Sequence, residues 1–145
     1  MIWDSKVGKL RTREHLLGRI TWKGDERVLD VGCGRGLMLI GAAKRLASGE
    51  ATGIDLWHAE DLSGNRPEAT LENARREGVT EKIRVETGDM RQLPFADASF
   101  DVVVSRAAIH NLYAIVDTVQ WPGKVYRSVV LAKPLNPTRV PTSNG

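Results

Sequence analysis

The chain has 145 residues, of which 41% are hydrophobic and 27% charged, with a single cysteine and a formal net charge of +3. That length and apolar content suit one folded core, and one cysteine excludes a disulfide framework. No apolar run approaches the roughly 20 residues of a membrane span and no signal-peptide core opens the chain, so a cytoplasmic protein without a membrane partner is expected.

Basic and acidic residues balance over residues 1–111, so the positive excess lies in 112–145, where Asp117 is the sole acid beside Lys124, Arg127, Lys133 and Arg139. Those cations follow no helical stripe, and no specific nucleic-acid surface is expected.

In chain order, residues 9–20 read as a short amphipathic helix with Leu10, Leu16, Leu17 and Ile20 facing inward, and Trp22-Lys23-Gly24 leads into a first strand, Arg27–Val31. Residues 28–36 read Val-Leu-Asp-Val-Gly-Cys-Gly-Arg-Gly: a buried strand that breaks into glycines at alternate positions. Gly32, Gly34 and Gly36 let the backbone turn sharply and approach a ligand where a Cβ would collide. Residues 37–47 then form a helix stopped at Gly49. Strand, glycine turn and helix make the nucleotide-binding corner of a doubly wound α/β sheet.

Two residues narrow the ligand. A dinucleotide fingerprint starting at Gly32 needs a glycine at 37, where Leu37 stands. Asp30 would repel a pyrophosphate but favours a ligand carrying an ammonium and a sulfonium.

A second strand, 51–54, ends at Asp55, about 20 residues after the glycine turn, where a carboxylate can accept both hydroxyls of a ribose. Residues 58–66 form a polar loop whose His58, Glu60 and Asp61 match no zinc spacing. No metal is expected there; the loop reads as solvated charge or as a mobile segment shaping access to a ligand. Pro67 opens a helix over 67–77, closed by Gly78. A third strand, 82–86, runs into Gly88-Asp89-Met90, a turn follows at Leu93-Pro94, and a fourth strand, Val102–Ser105, completes a parallel run with right-handed crossovers.

Asp30 followed by Gly32, Gly34 and Gly36 resembles the first motif of the class I S-adenosylmethionine-dependent methyltransferases, an acid followed by G-x-G-x-G. Asp55, Gly88-Asp89-Met90 and Phe100-Asp101-Val102-Val103-Val104-Ser105 resemble later motifs of the same family, in the same order, and the likeness covers residues 9–111. It implies a Rossmann-like sheet with strand order 3-2-1-4 and S-adenosylmethionine as cofactor. It further implies cofactor contacts from Asp30, Gly32, Cys33, Gly34, Gly36, Asp55, Leu56, Trp57, Asp89, Met90 and Ser105. Asp55 would hold the ribose, Leu56 or Trp57 would pack on the adenine, Asp89 would accept from its exocyclic amine, and the Met90 N–H would donate to the ring. The implied activity is methyl transfer to a small-molecule acceptor; the alternative is a noncatalytic module that keeps the cofactor pocket. Arg106, His110 and Asn111 follow the fourth strand, and His110 reads either as a general base or as a helix-capping or packing residue. Cys33, between two glycines, reads as reduced and packed.

After Asn111 the chain departs from the family pattern, as though truncated or altered. Four of its six prolines, Pro122, Pro134, Pro137 and Pro141, fall there and disfavour regular structure. The expected division is therefore a cofactor-binding core over 1–111 and an atypical basic tail over 112–145. Two accounts of the tail stand: residues 125–132 add a substitute strand or helix against the fourth strand, or the tail is a nonhomologous appendage. The loss of acids and the clustered prolines favour the second, and either way the apolar strand Val102–Val104 is expected to risk being left as an exposed edge through which two chains could dimerise.

Overall fold

The computed structural model describes residues 6–57, 66–105, 115–121 and 124–131, with side-chain surroundings over 6–57 and 66–105. The elements are α1 (Lys6–Leu17), β1 (Arg27–Val31), α2 (Leu37–Ala43), β2 (Glu50–Asp55), α3 (Pro67–Arg76), a 3-10 turn at Thr80–Lys82, β3 (Ile83–Thr87), β4 (Val102–Ser105), β5 (Ile115–Trp121) and β6 (Lys124–Leu131). They build one six-stranded sheet in the order β3-β2-β1-β4-β6-β5. The expected parallel order 3-2-1-4 is its first two thirds, and the fold is Rossmann-like.

The two faces of the sheet are dressed differently. Parallel register sets Ile83, Ala51, Val28 and Val102 in one row, and Val85, Gly53, Asp30 and Val104 in the next. The apolar members of these rows pack against Leu17 of α1, Ala74 of α3 and Met38, Leu39, Ile40, Ala42 and Ala43 of α2. On the opposite face, Leu29, Val31, Ile54 and Val103 are covered by Leu93, Phe95 and Phe100, with the two phenylalanine rings edge to face at 4.9 Å. β1 is thus buried on both faces from Val28 onward, which is why it reads as a short apolar run interrupted only by Asp30.

Element boundaries moved for local reasons. α2 is apolar nearly all round because α1 covers its outer side. It stops at Ala43 rather than 47 because the Ala47, Ser48 and Gly49 amides turn together onto the Gly24 carbonyl, at 2.7, 3.0 and 3.0 Å. α1 lies three residues earlier than expected and buries Arg13, which is 4% exposed. The Arg13 stem crosses the bare Cα of Gly41, where a Cβ would come within 2.7 Å of its Cγ. Its guanidinium reaches Glu14 at 3.0 Å and Glu77 at 3.5 Å, so a residue of the kind usually left on a helix surface seals α1 to α2.

The C-terminal part corrects one expectation. β4 is not an edge: β6 pairs with it in parallel, Val103 opposite Val129 and Ser105 opposite Leu131. β5 then pairs antiparallel with β6 and ends the sheet. Of the two accounts of the tail, the substitute strand is the one observed, and a dimer through the β4 edge has no edge to use. The β-branched run from Val125 supplies the strand, and Pro122, Pro134, Pro137 and Pro141 lie outside the described residues. The sheet therefore continues past the expected boundary at residue 111. No helix among the described residues is long and apolar enough to cross a membrane.

Candidate cofactor-binding site

The glycine turn lies at the C-terminal ends of β1 and β2, where open α/β sheets bind ligands. Its three glycines have φ of +70° at Gly32, +52° at Gly34 and +93° at Gly36, a conformation that side-chain-bearing residues rarely adopt. That requirement explains their alternation. The turn is fastened to β2 by the Gly32 and Cys33 amides, which both donate to the Ile54 carbonyl at 2.8 and 3.2 Å, and Gly36 N–H closes it onto Cys33 O at 2.9 Å.

Two carboxylates bracket the turn. Asp55, at the end of β2, accepts the Gly34 amide at 2.9 Å on one oxygen and the Trp57 amide at 3.0 Å on the other. Asp30 lies beneath the turn, 2% exposed, in the sheet row facing α2. Burial drives its pKa up to about 8, opposed by a backbone hydrogen bond from Leu39 and aided by the charge of Asp55. Among the described residues no cationic side chain pairs with either carboxylate.

Cys33 is 6% exposed and fills the space left by Gly53, where a Cβ would sit 2.8 Å from its Sγ. Burial first, then the charges of Asp30 and Asp55, push its thiol well above the ordinary range. Alkylation of the native protein by iodoacetamide at pH 8 is therefore expected to run at least about 100-fold slower than in denaturant. Rapid native labelling would show instead that the turn opens readily.

Leu56 is 41% exposed directly after Asp55. Trp57 adopts a left-handed φ of +54° and is partly buried, its indole Nε1 enclosed without a hydrogen-bond partner among the described residues. Gly88 N–H donates to Asp55 O at 3.0 Å, bringing the next loop alongside the site. Asp89 accepts from the Arg91 amide at 2.8 Å and from the Arg91 guanidinium, and Met90 packs against the Leu93 and Phe100 cluster. Ser105 is buried, with its hydroxyl donating to Val31 O at 2.9 Å, so it ties the ends of β1 and β4 together. His110, Arg106 and Asn111, and the loop carrying His58, Glu60 and Asp61, lie outside the described residues. Among those described, no group of three or more His, Cys, Asp or Glu residues is arranged to hold a metal ion.

Two contributors were not singled out from the sequence. Thr70 and Asn73 of α3 bond the carbonyls of Gly34 and Arg35, at 2.6 and 3.0 Å. A threonine and an asparagine inside a helix carry no local signal of such a role.

The profile of a family described as a methyltransferase domain matches residues 28–129. The 27-O-demethylrifamycin SV methyltransferase of Amycolatopsis mediterranei is 30% identical, over 76% of this chain and 40% of that protein. A sterol 24-C-methyltransferase of Neurospora crassa is 32% identical over 81% of this chain and 28% of its own length. Among solved structures, a methyltransferase-like protein of Bacillus halodurans superposes with a TM-score of 0.57 at 27% identity, over 69% of this chain and 39% of that one. The chain thus spans less than half the length of these relatives.

Proposed function

The chain belongs to the methyltransferase-domain family, and on that premise we propose that it binds S-adenosylmethionine at the glycine turn and transfers the methyl group to a small-molecule acceptor. The observation that carries the reading is a turn of three left-handed glycines held between a buried and a rim carboxylate, with no cation of the described chain paired to either. That arrangement fits a ligand that brings its own positive charge and a vicinal diol.

The residues divide the ligand between them. Asp55 takes the ribose hydroxyls with the lone pairs that its two amide bonds leave. Leu56, an exposed leucine beside Asp55, is favoured over the partly buried Trp57 as the apolar surface for the adenine. Asp89 and the Met90 amide read the adenine edge; the bond to Arg91 is an exposed ion pair whose exchange costs little. The carboxylate of Asp30 acts by charge from beneath the turn, and Gly32, Cys33, Gly34 and Gly36 form the floor. Ser105 contributes through the placement of the strand ends.

Bound S-adenosylmethionine supplies an already electrophilic methyl carbon. The chain's task is then to hold an acceptor in line with that carbon and keep water away. His110 is the proposed base where the acceptor must lose a proton. Small-molecule acceptors are supported by the names of the relatives, a 27-O-demethylrifamycin SV methyltransferase and a sterol 24-C-methyltransferase. Incubation with methyl-labelled S-adenosylmethionine and a library of small hydroxyl, amine and alkene acceptors tests the reading. Labelled product with equimolar S-adenosylhomocysteine is expected. Cofactor binding with transfer to no acceptor would favour the noncatalytic module, and absence of binding would end the proposal.

A further inference from the structure

Gly34 is the pivot of the site. Its amide donates to Asp55 while its carbonyl accepts the Thr70 hydroxyl, at 2.9 and 2.6 Å. Thr70 is fully buried in the first turns of α3, and its methyl lies where a Cβ on Gly36 would come within 2.9 Å. One side chain therefore grips the turn at two points, by a hydrogen bond to Gly34 and by contact with the bare Cα of Gly36. One turn further along α3, Asn73 Nδ2 donates to the intervening carbonyl, Arg35 O, at 3.0 Å.

A five-residue turn with three left-handed glycines has little conformational preference of its own, because glycine samples both signs of φ about equally. Something outside it must choose one state. The bonds to β2 fix its entrance at Gly32 and Cys33, whereas the carbonyls of Gly34 and Arg35 are fixed from α3.

We infer that Thr70 and Asn73 are positioning residues of the cofactor site: from α3 they hold the glycine turn so that the Gly34 amide orients Asp55 toward the ribose. Neither side chain touches the ligand in this assignment. Each lowers the ordering that binding would otherwise impose on the turn. The inference rests on the cofactor reading above.

Calorimetric titration of the full chain with S-adenosylhomocysteine tests it, using wild type, Thr70→Val, Thr70→Ser and Asn73→Asp. Valine keeps the shape of threonine and removes the donor; aspartate keeps the shape of asparagine and cannot donate to Arg35 O. Thr70→Val is expected to weaken binding by about 10-fold and Asn73→Asp by several-fold, the range of a lost hydrogen bond, while Thr70→Ser stays within about two-fold of wild type. The Gly34 and Trp57 amide resonances should move in Thr70→Val and return in Thr70→Ser, with those of Val28 and Leu29 unchanged. Wild-type binding together with variant affinities within two-fold of it overturns the inference and leaves the cofactor reading intact. If Thr70→Val does not fold, Asn73→Asp on the helix surface decides by the same criterion. A wild type that does not bind S-adenosylhomocysteine overturns both, and is recognised by that titration alone.

Discussion

Replacing Asp55 with Asn is expected to weaken S-adenosylhomocysteine binding by about 100-fold or more, nearly as much as replacing it with Ala. The reason lies in the two bonds the carboxylate already makes. One oxygen accepts the Gly34 amide and the other the Trp57 amide. An Asn side chain must turn its NH2 toward one of those two N–H groups, so donor meets donor and either the glycine turn or the Trp57 bend loses its anchor. The same substitution removes the negative charge from both bonds proposed for the ribose and turns one of the two acceptors into a donor. Circular dichroism of the variant should stay close to wild type, because Asp55 lies at the rim of the sheet and not in its core. Calorimetry showing Asp55→Asn within a few-fold of wild type would mean that the ribose is held elsewhere.

The second large effect concerns Asp30 and pH. Its folded-state pKa, about 8, stands above the ordinary value of 3.8 chiefly because the carboxyl is buried. The folded chain therefore holds this proton more tightly than the unfolded chain does. Asp30's contribution to stability is fully present below its ordinary pKa and is lost as pH rises through about 8. Over that window stability should fall with a slope of up to about 1.4 kcal/mol per pH unit from this group. Asp30→Asn should remove that component, so that denaturant midpoints of the variant overtake those of wild type at the alkaline end. Ligand binding should run the other way. A bound ammonium favours the ionised carboxylate, so affinity for S-adenosylhomocysteine should rise between pH 6 and 8 with release of a proton. That release is visible as a binding enthalpy that changes with the ionisation enthalpy of the buffer. Asp30→Asn should bind weakly and without this pH dependence. A wild-type affinity flat over the same range would separate Asp30 from the ligand's charge.

Much of this site is legible in the sequence because its constraints are local. Three glycines at alternate positions after an apolar strand mark where the backbone takes conformations that side chains rarely adopt, and the observed φ values are left-handed at all three. β1 and β4 span the residues the sequence marks for them, Arg27–Val31 and Val102–Ser105. The clamps on the turn are another matter. Thr70 and Asn73 meet Gly34 and Arg35 only because α3 packs across more than thirty residues of chain, a tertiary event with no pattern in either segment. Arg13 is similar: its charge marks it as surface, and only the missing Cβ of Gly41 makes room for its stem. The C-terminal hairpin was half legible. The β-branched residues from Val125 leave strand and helix both open, and Ile115–Trp121 is a second strand beyond the expected elements.

The central claim is that this turn holds an aminoacyl nucleoside and not a dinucleotide. Titration of the full chain with S-adenosylhomocysteine and, separately, with NAD tests it most directly. Saturable one-to-one binding of S-adenosylhomocysteine, with no saturable heat from NAD, is the expected result. Saturable NAD binding with none from S-adenosylhomocysteine would contradict it.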